Sequence, residues 1–276
     1  MSDHSPKVVV ITGAARGIGF GLALEFLQRG HCVMICDLHH ESVHQAVDTL
    51  EKTASSVAGR TCDVTDPKDL QDLWRAAVDE FDRVDIWINN AGVGSDQSDI
   101  IDTPIHLLQR VVDTNIKGAV YGTQVALQGM REQGGGAIYN TAGFGSDGFW
   151  RRGMTIYGTS KRAVAYFSKG VAKEVAAAAS SQAGSPLVCW LNPGMVITPL
   201  VIEEARTMPS EKWKAGRRVF NMWGETIETT AQQLVERILD NQKNGVNIHL
   251  LPGWKMAWKA LCSLVVRRDL FAGHGV

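Results

Sequence analysis

Tyr157 and Lys161, four residues apart, are the two side chains of this sequence best suited to moving a proton. The hydrophobic pattern over residues 154–179 predicts a helix, and residues four apart on a helix share one face. A free tyrosine has a pKa of ~10 and is a poor base at neutral pH, but a nearby ammonium favours the phenolate and lowers that pKa. The pair therefore predicts acid–base catalysis on a carbonyl or an alcohol. A tyrosine and a lysine that merely share a solvated helix face would show the same spacing.

A glycine-rich turn near the N-terminus has the spacing of a dinucleotide-binding site. It reads Thr12-Gly13-Ala14-Ala15-Arg16-Gly17-Ile18-Gly19 and links a predicted strand to a predicted helix. Gly13 would let the chain turn off the strand, Gly17 would let the backbone approach a pyrophosphate, and Gly19 would let the helix pack on the sheet. The helix N-terminus would then attract the phosphates. A tight turn without any ligand is the simpler alternative.

Asp37, at the end of the second predicted strand, bears on which dinucleotide would bind. A carboxylate there can accept hydrogen bonds from the adenosine ribose hydroxyls and would repel a 2′-phosphate, which favours NAD over NADP. Arg16 argues in the opposite direction, because a guanidinium near the ribose could hold a 2′-phosphate. After the third predicted strand, Asp63 and Val64 could bracket an adenine edge, although a strand end leading to a helix near Pro67 would look the same. We expect NAD as the cofactor, with NADP the less favoured choice.

The elements that must position these residues alternate between strand and helix along the chain. The predicted strands cover residues 8–11, 32–36, 57–62, 84–88, 137–141, 187–191 and 246–250, and the predicted helices include 18–29, 41–52, 107–130, 154–179 and 231–241. Their connections are too long for hairpins, which is typical of a parallel sheet with helices on both faces. We predict an α/β fold with a single doubly wound, Rossmann-like parallel sheet of about seven strands. One domain would cover residues 1–276.

Composition and charge argue against several classes of protein. The 276 residues carry 28 Lys and Arg against 29 Asp and Glu, so there is no basic excess of the kind that marks a nucleic-acid-binding protein. The five cysteines are odd in number and lack metal-ligand spacing, which indicates core residues in a reducing compartment and no metal site. We expect no secretory signal, because no basic segment followed by an apolar stretch precedes the first predicted strand, and no run reaches the ~18 apolar residues of a membrane span. We therefore expect a soluble, cytoplasmic protein.

Taken in chain order, these motifs resemble those of the short-chain dehydrogenase/reductase family. The matching segments run from residue 12 to residue 198. They are the glycine-rich turn already described, Asp63-Val64, Asn89-Asn90-Ala91-Gly92, Asn115, Tyr157-Gly158-Thr159-Ser160-Lys161 and Pro193-Gly194-Met195-Val196-Ile197-Thr198.

The resemblance implies a nicotinamide site with a proton relay. Tyr157 would be the catalytic acid and base, and Lys161 would bind the nicotinamide ribose and lower the tyrosine pKa. Asn115 would sit in the long helix over 107–130 and hold a water of the relay. The residues implied to line the cofactor are Asn90, Ala91, Gly92, Pro193, Gly194, Val196 and Thr198.

The serine that the family usually places shortly after the fifth strand, where it orients the substrate oxygen, is missing from its usual register. Ala142 and Gly143 stand there, and Ser146 is the next hydroxyl, 11 residues before Tyr157. Ser146 could reach the site if the loop bends, which its neighbouring glycines would permit, or it could be a plain loop residue. The predicted catalytic residues are therefore Asn115, Ser146, Tyr157 and Lys161.

The unusual loop over residues 140–146 is similar to the chlorophyll b reductase branch of the family, as are the segments 157–162 and 193–198 and the tail motif Arg267-Arg268-Asp269-Leu270-Phe271. Enzymes of that branch reduce a formyl group to a hydroxymethyl group. The resemblance implies a pocket for a flat, apolar macrocycle or another bulky aldehyde or ketone.

Residues 195–224 form the longest interruption of the strand–helix alternation. At the carboxyl edge of such a sheet a long insertion is where a substrate lid would lie. We expect Trp213, Phe220 and Trp223 to line or cover the substrate pocket.

The tail over residues 252–276 carries Trp254, Ala257, Trp258, Leu261 and Val265 at helical spacing, with Lys255, Lys259, Arg267 and Arg268 nearby. A helix resting on a membrane interface would have this pattern. A helix packed on its own subunit or on a neighbouring one would have it too, and we favour packing.

These features predict an NAD-linked oxidoreductase that interconverts a carbonyl and an alcohol on a small-molecule substrate. The family resemblance implies a homodimer or homotetramer. The alternative is a non-catalytic dinucleotide-binding regulator, because the usual serine is missing.

Overall fold

Seven parallel strands form one sheet in the computed structural model, which describes residues 5–95, 97–178, 184–208, 210–263, 265 and 268–275. The strands are β1 (Val8–Thr12), β2 (Cys32–Asp37), β3 (Val57–Thr61), β4 (Ile86–Asn89), β5 (Ala137–Thr141), β6 (Leu187–Asn192) and β7 (Asn247–His249). Their order is β3-β2-β1-β4-β5-β6-β7, and every neighbouring pair is parallel. The predicted Rossmann-like sheet is confirmed. The strand order reverses between β1 and β4, where sheets of this kind open a ligand crevice at their carboxyl ends.

Helices surround the sheet. Within the described residues they are α1 (Gly17–Gln28), α2 (His40–Leu50), α3 (Pro67–Phe81), α4 (Ile105–Val112), α5 (Gly118–Gln133), α6 (Thr155–Ala178), α7 (Pro199–Thr207), α8 (Ser210–Trp223), α9 (Ile227–Asp240) and α10 (Gly253–Ser263).

Both faces of the sheet are buried. Val9 and Ile11 of β1 belong to the core beneath α1, α2 and α9, whereas Val10 belongs to the core beneath α3, α5 and α6. A strand that supplies both cores must be apolar at every position. This explains why the sequence of β1 is an unbroken run of β-branched residues.

The helix predicted over residues 107–130 is not continuous. α4 ends at Val112, one π-helical turn covers Asp113–Lys117, and α5 begins at Gly118. A π turn inserts one extra residue into a helix and recurs at functional sites. Here it contains the buried residue Asn115.

The aromatic side chains of α8 contact the C-terminal tail. The rings of Trp213 and Phe220 make edge contacts with the ring of Phe271, at centroid distances of 4.8 and 5.8 Å. Phe271 is only 1% exposed, and the Trp223 indole N–H donates to the carbonyl of Met256 at 3.1 Å. These contacts place the three aromatic residues in a small core formed with the tail, contrary to the expected pocket lining.

The basic side chains of α10 and of the segment that follows it contact side chains of neighbouring segments. Lys259 and Arg268 both bind the carboxylate of Glu225, the latter at 3.0 Å, and Lys255 donates to a side chain of α9. Trp254 and Trp258 are instead 73% and 63% exposed. Arg267, expected among the basic residues, lies outside the described residues. None of the described helices is long and apolar enough to cross a membrane.

Candidate active site

The glycine-rich turn is held against the end of β4 by Asn90, whose side-chain amide donates to the carbonyl oxygens of Thr12 and Gly13 at 3.0 Å each. Gly13 has a φ of +62°, and a Cβ atom there would lie 2.6 Å from the Cα of Ala91. A Cβ on Gly19 would lie 2.6 Å from the Asn90 side chain. Any side chain at either glycine would therefore separate the turn from β4.

The N-terminus of α1 has the properties of an anion site. Arg16 precedes the helix without making a side-chain cap, and the first turn, which includes Ile18, contains no acidic residue. Gly17 has a φ of +63°, and a Cβ there would meet no atom within 4 Å. The helix N–H groups and dipole attract phosphate, so the turn fits the pyrophosphate of a dinucleotide.

Asp37 lies beside this turn. Its carboxylate accepts hydrogen bonds from the backbone N–H groups of Ala15, at 3.1 Å, and Leu38, at 2.8 Å. Arg16 points elsewhere and pairs with Glu203 of α7 at 3.3 Å, where both side chains are exposed. Two backbone N–H groups therefore hold the Asp37 carboxylate in position. The exposed ion pair with Glu203 holds the Arg16 side chain only weakly.

The two residues expected at the adenine have local partners. Asp63 accepts hydrogen bonds from the N–H and the hydroxyl of Thr65, at 2.8 Å each. Val64 is buried, and its Cγ2 lies 2.8 Å from the point that a Cβ on Gly118 would occupy. Their placement at an adenine edge stays a prediction.

Tyr157 and Lys161 lie next to each other near the start of α6. The Lys161 Nζ is 5.6 Å from the centroid of the Tyr157 ring and donates to the carbonyl of Thr141, at the end of β5, at 3.1 Å. Lys161 is 4% exposed, and a Cβ on Gly92 would lie 3.3 Å from its Nζ. The ends of β4 and β5 thus enclose the amine beside the phenol ring.

Burial dominates the protonation of this pair. It raises the pKa of Tyr157 to about 12, with the Glu204 carboxylate adding to the rise, and it lowers the pKa of Lys161 to about 8. The direction for Tyr157 is opposite to the one expected from a neighbouring ammonium, because burial removes the hydration that a phenolate needs and the Glu204 charge disfavours the phenolate further. The phenol therefore stays protonated at neutral pH and is suited to act as an acid.

Asn115 joins the π turn to the loop after β4. Its Oδ1 accepts from the N–H of Val93 at 2.8 Å, and its Nδ2 donates to the Val93 carbonyl and to the Ser160 hydroxyl at 3.0 Å each. A Cβ on Gly92 would lie 3.2 Å from Asn115 Oδ1. The side chain therefore fixes the loop that encloses Lys161, and the relay water expected at Asn115 stays a prediction.

The loop after β5 brings a glycine to the hydroxyl of Tyr157. Gly143 has a φ of +140°, and a Cβ there would lie 3.9 Å from the Tyr157 Oη. The chain turns back at this point, with the N–H of Ser146 donating to the Gly143 carbonyl at 3.0 Å. The buried Ser146 hydroxyl donates to Oδ1 of Asn192, at the end of β6, at 3.0 Å. Ser146 thus lies between the ends of β5 and β6.

The segment after β6 connects the sheet to α7. It begins with Pro193 and Gly194, the latter at a φ of +81°. Val196 forms an isolated parallel bridge with Glu225, and the Thr198 hydroxyl caps the N-terminus of α7. These contacts hold the segment against the carboxyl edge of the sheet, where the nicotinamide is expected.

Comparison with known proteins shows the family to which the chain belongs. The sequence model of the short chain dehydrogenases matches residues 7–208. The chain belongs to the short-chain dehydrogenase family. Chlorophyll(ide) b reductase NOL of Oryza sativa subsp. japonica is 35% identical over 237 residues, which are 84% of this chain and 66% of that protein. The 2-(R)-hydroxypropyl-CoM dehydrogenase of Xanthobacter autotrophicus is 32% identical over 198 residues, covering 70% of this chain and 76% of that protein.

The crystal structure of levodione reductase has the same fold as this short-chain dehydrogenase. Its TM-score is 0.80 at 24% identity, with 91% of this chain and 98% of that chain covered. The chain spans between half and two thirds of the length of the chlorophyll(ide) b reductases it matches. The short-chain dehydrogenases are a family of nucleotide-binding oxidoreductases.

Three further residues contribute to this short-chain dehydrogenase site but were not among the predicted site residues. The Thr12 hydroxyl accepts from the N–H groups of Asn90 and Ala91 at 3.1 Å each. Ser160 donates to the Tyr157 carbonyl at 2.7 Å. Thr12 and Ser160 belong to the recognised motifs and could have been found there. No sequence motif marks the third residue, Glu204.

Proposed function

We propose that this chain reduces the carbonyl group of a bulky, apolar substrate to an alcohol with NADH as the hydride donor. The observation that carries the proposal is the enclosed Lys161 amine, held 5.6 Å from the ring centroid of Tyr157. Burial keeps the Tyr157 phenol protonated at neutral pH by raising its pKa to about 12. An acid beside a dinucleotide cradle is suited to carbonyl reduction.

In this mechanism Tyr157 donates its proton to the substrate oxygen as that oxygen becomes negative. A dinucleotide held at the glycine-rich turn would supply the hydride for the carbonyl carbon. Lys161 would bind its nicotinamide ribose, and the same amine stabilises the phenolate left on Tyr157. Thr141 and Asn115 are positioning residues. The Thr141 carbonyl holds the Lys161 amine, and Asn115 holds the loop around that amine.

The surface around the cleft supports a bulky, apolar substrate. Phe149 and Trp150 after β5, Ile101 after β4 and Leu200 of α7 are large apolar residues that are exposed on segments following the carboxyl ends of strands. Exposed apolar residues at such an edge are typical of a ligand-binding groove. Together with the chlorophyll(ide) b reductases among the relatives, they favour a formyl-bearing macrocycle. We assign residues 195–224 as the lid over it.

The substrate class is tested with a chlorophyll b-type formyl macrocycle and with benzaldehyde, by following NADH oxidation. We expect kcat/KM to be at least about tenfold higher for the macrocycle, because it buries more apolar surface. The macrocycle that carries a methyl group in place of the formyl group is the control and should consume no NADH. Faster reduction of benzaldehyde would contradict the proposed substrate class while leaving carbonyl reduction in place.

We propose NAD as the cofactor because of Asp37. Asp37→Ala should lower the Kd ratio of NADPH to NADH at least about tenfold, since the substitution removes a carboxylate that repels a 2′-phosphate. Titration of both cofactors measures the ratio. Glu41→Ala is the matched control, because this exposed carboxylate on α2 accepts its hydrogen bond from Gln45 on the same helix. An unchanged ratio in Asp37→Ala would retire the assignment.

We further propose that the protein acts in the cytoplasm as a homodimer or homotetramer. The exposed tryptophans of α10 favour packing on a neighbouring subunit over contact with a membrane, because the basic side chains of this region bind Glu225 and Gln233.

A further inference from the structure

A carboxylate lies at the edge of the catalytic cleft on α7. Glu204 Oε2 accepts a hydrogen bond from Gln97 Nε2 at 2.7 Å, and Oε1 lies 3.3 Å from the point that a Cβ on Gly94 would occupy. Two residues earlier, a Cβ on Gly92 would lie 3.3 Å from Lys161 Nζ. Two residues of extended chain span about 7 Å. The loop after β4 therefore leads directly from the catalytic amine to this carboxylate.

The position of Glu204 is maintained by a strained residue. Gln97 has a φ of +58°, which non-glycine residues rarely adopt. Its Oε1 accepts from the Arg151 guanidinium at 3.4 Å, and a Cβ on Gly153 would lie 2.2 Å from its carbonyl oxygen. A residue keeps such a backbone conformation only where the surrounding structure holds it there, and residues of this kind are frequent at functional sites. Gln97 thus links the loops after β4 and β5 to α7.

Glu204 and its neighbour Glu203 have different environments. Glu203 is exposed and pairs with Arg16, at the start of α1, at 3.3 Å. Glu204 is partly buried, and its charge contributes to the raised pKa of Tyr157. Charges interact strongly in a partly desolvated cleft because the effective dielectric constant is low. A negative substrate group bound beside Tyr157 would therefore be repelled by Glu204.

We propose that Glu204 is a specificity-determining residue that rejects carbonyl substrates with a negative charge close to the reacting carbon and accepts neutral, apolar ones. The proposal rests on the carbonyl reduction proposed above and adds the charge of the substrate. Discrimination by a repulsive group is a common way to exclude a competing ligand of similar shape.

The test compares 4-formylbenzoate, an anion, with its neutral methyl ester. We expect the wild-type protein to prefer the ester in kcat/KM by at least about tenfold. Glu204→Gln removes the charge but keeps an oxygen that can accept from Gln97, and it should reduce the preference to within about threefold. Glu203→Gln is the matched control and should leave the preference unchanged.

An equal preference in the wild type and Glu204→Gln overturns the proposal, even if both rates fall, since Glu204 would then only hold α7 in place. If neither aldehyde is reduced, the proposed carbonyl reduction is contradicted for these compounds, and the role of Glu204 is tested by binding instead of by turnover. The Kd of each compound for the complex with NADH, measured by NADH fluorescence, then decides the role of the charge. Anion binding that is weaker by about tenfold in the wild type alone supports the proposal, and equal ratios overturn it.

Discussion

Tyr157→Phe should lower kcat for carbonyl reduction by about a thousandfold while the Kd for NADH changes by less than about twofold. The substitution removes only the hydroxyl that donates the proton. The aromatic ring beside Lys161 stays, and the Lys161 Nζ keeps its hydrogen bond to the Thr141 carbonyl. Steady-state rates with a reducible aldehyde, combined with NADH titration, separate the lost chemistry from cofactor binding.

Tyr166→Phe provides the control on the same helix, because Tyr166 is 81% exposed and should tolerate the loss of its hydroxyl. A Tyr157→Phe rate equal to the wild-type rate would show that another group donates the proton. Wild-type protein that binds NADH tightly but reduces no carbonyl compound would favour a dinucleotide-binding regulator instead.

The sheet could be predicted because its strands carry a local signal. Most are short and largely apolar, and residues 8–11 of β1 are apolar without interruption because this strand contributes to both cores. The glycines of the first turn also helped to predict the dinucleotide site. Gly13 and Gly19 are required by direct packing, and Gly17 borders open space at the N-terminus of α1.

The features that escaped prediction depend on contacts between distant parts of the chain. The π turn at Asn115 shifts the helix by one residue, which barely changes the apolar periodicity over 107–130. Trp213 and Phe220 of α8 pack on Phe271, which lies about 50 residues further along the chain, and their own spacing does not indicate that partner. The raised pKa of Tyr157 follows from burial, which only the folded arrangement reveals.

The serine missing from its usual position shows both what the sequence could predict and what only the folded structure reveals. The register places Ala142 and Gly143 where the family usually has a serine, and in the structure a Cβ on Gly143 would lie 3.9 Å from the Tyr157 hydroxyl. At a φ of +140° that position strains any other residue, so the loop cannot carry a serine there without rebuilding. We expect Ser146 to orient the substrate oxygen, because it is the next hydroxyl along the loop and is enclosed between the ends of β5 and β6.

Ser146→Ala should therefore reduce kcat by about a hundredfold, the usual loss when one donor to a developing oxyanion is removed. It also removes the donor to Asn192 Oδ1, which should cost about 1 kcal/mol of folding stability, so thermal melting must accompany the kinetics. Ser95→Ala is the matched control, because its hydroxyl donates to the Gly153 carbonyl. If Ser146→Ala melts earlier yet turns over as fast as Ser95→Ala, Ser146 only anchors the loop to β6, and Tyr157 alone polarises the carbonyl.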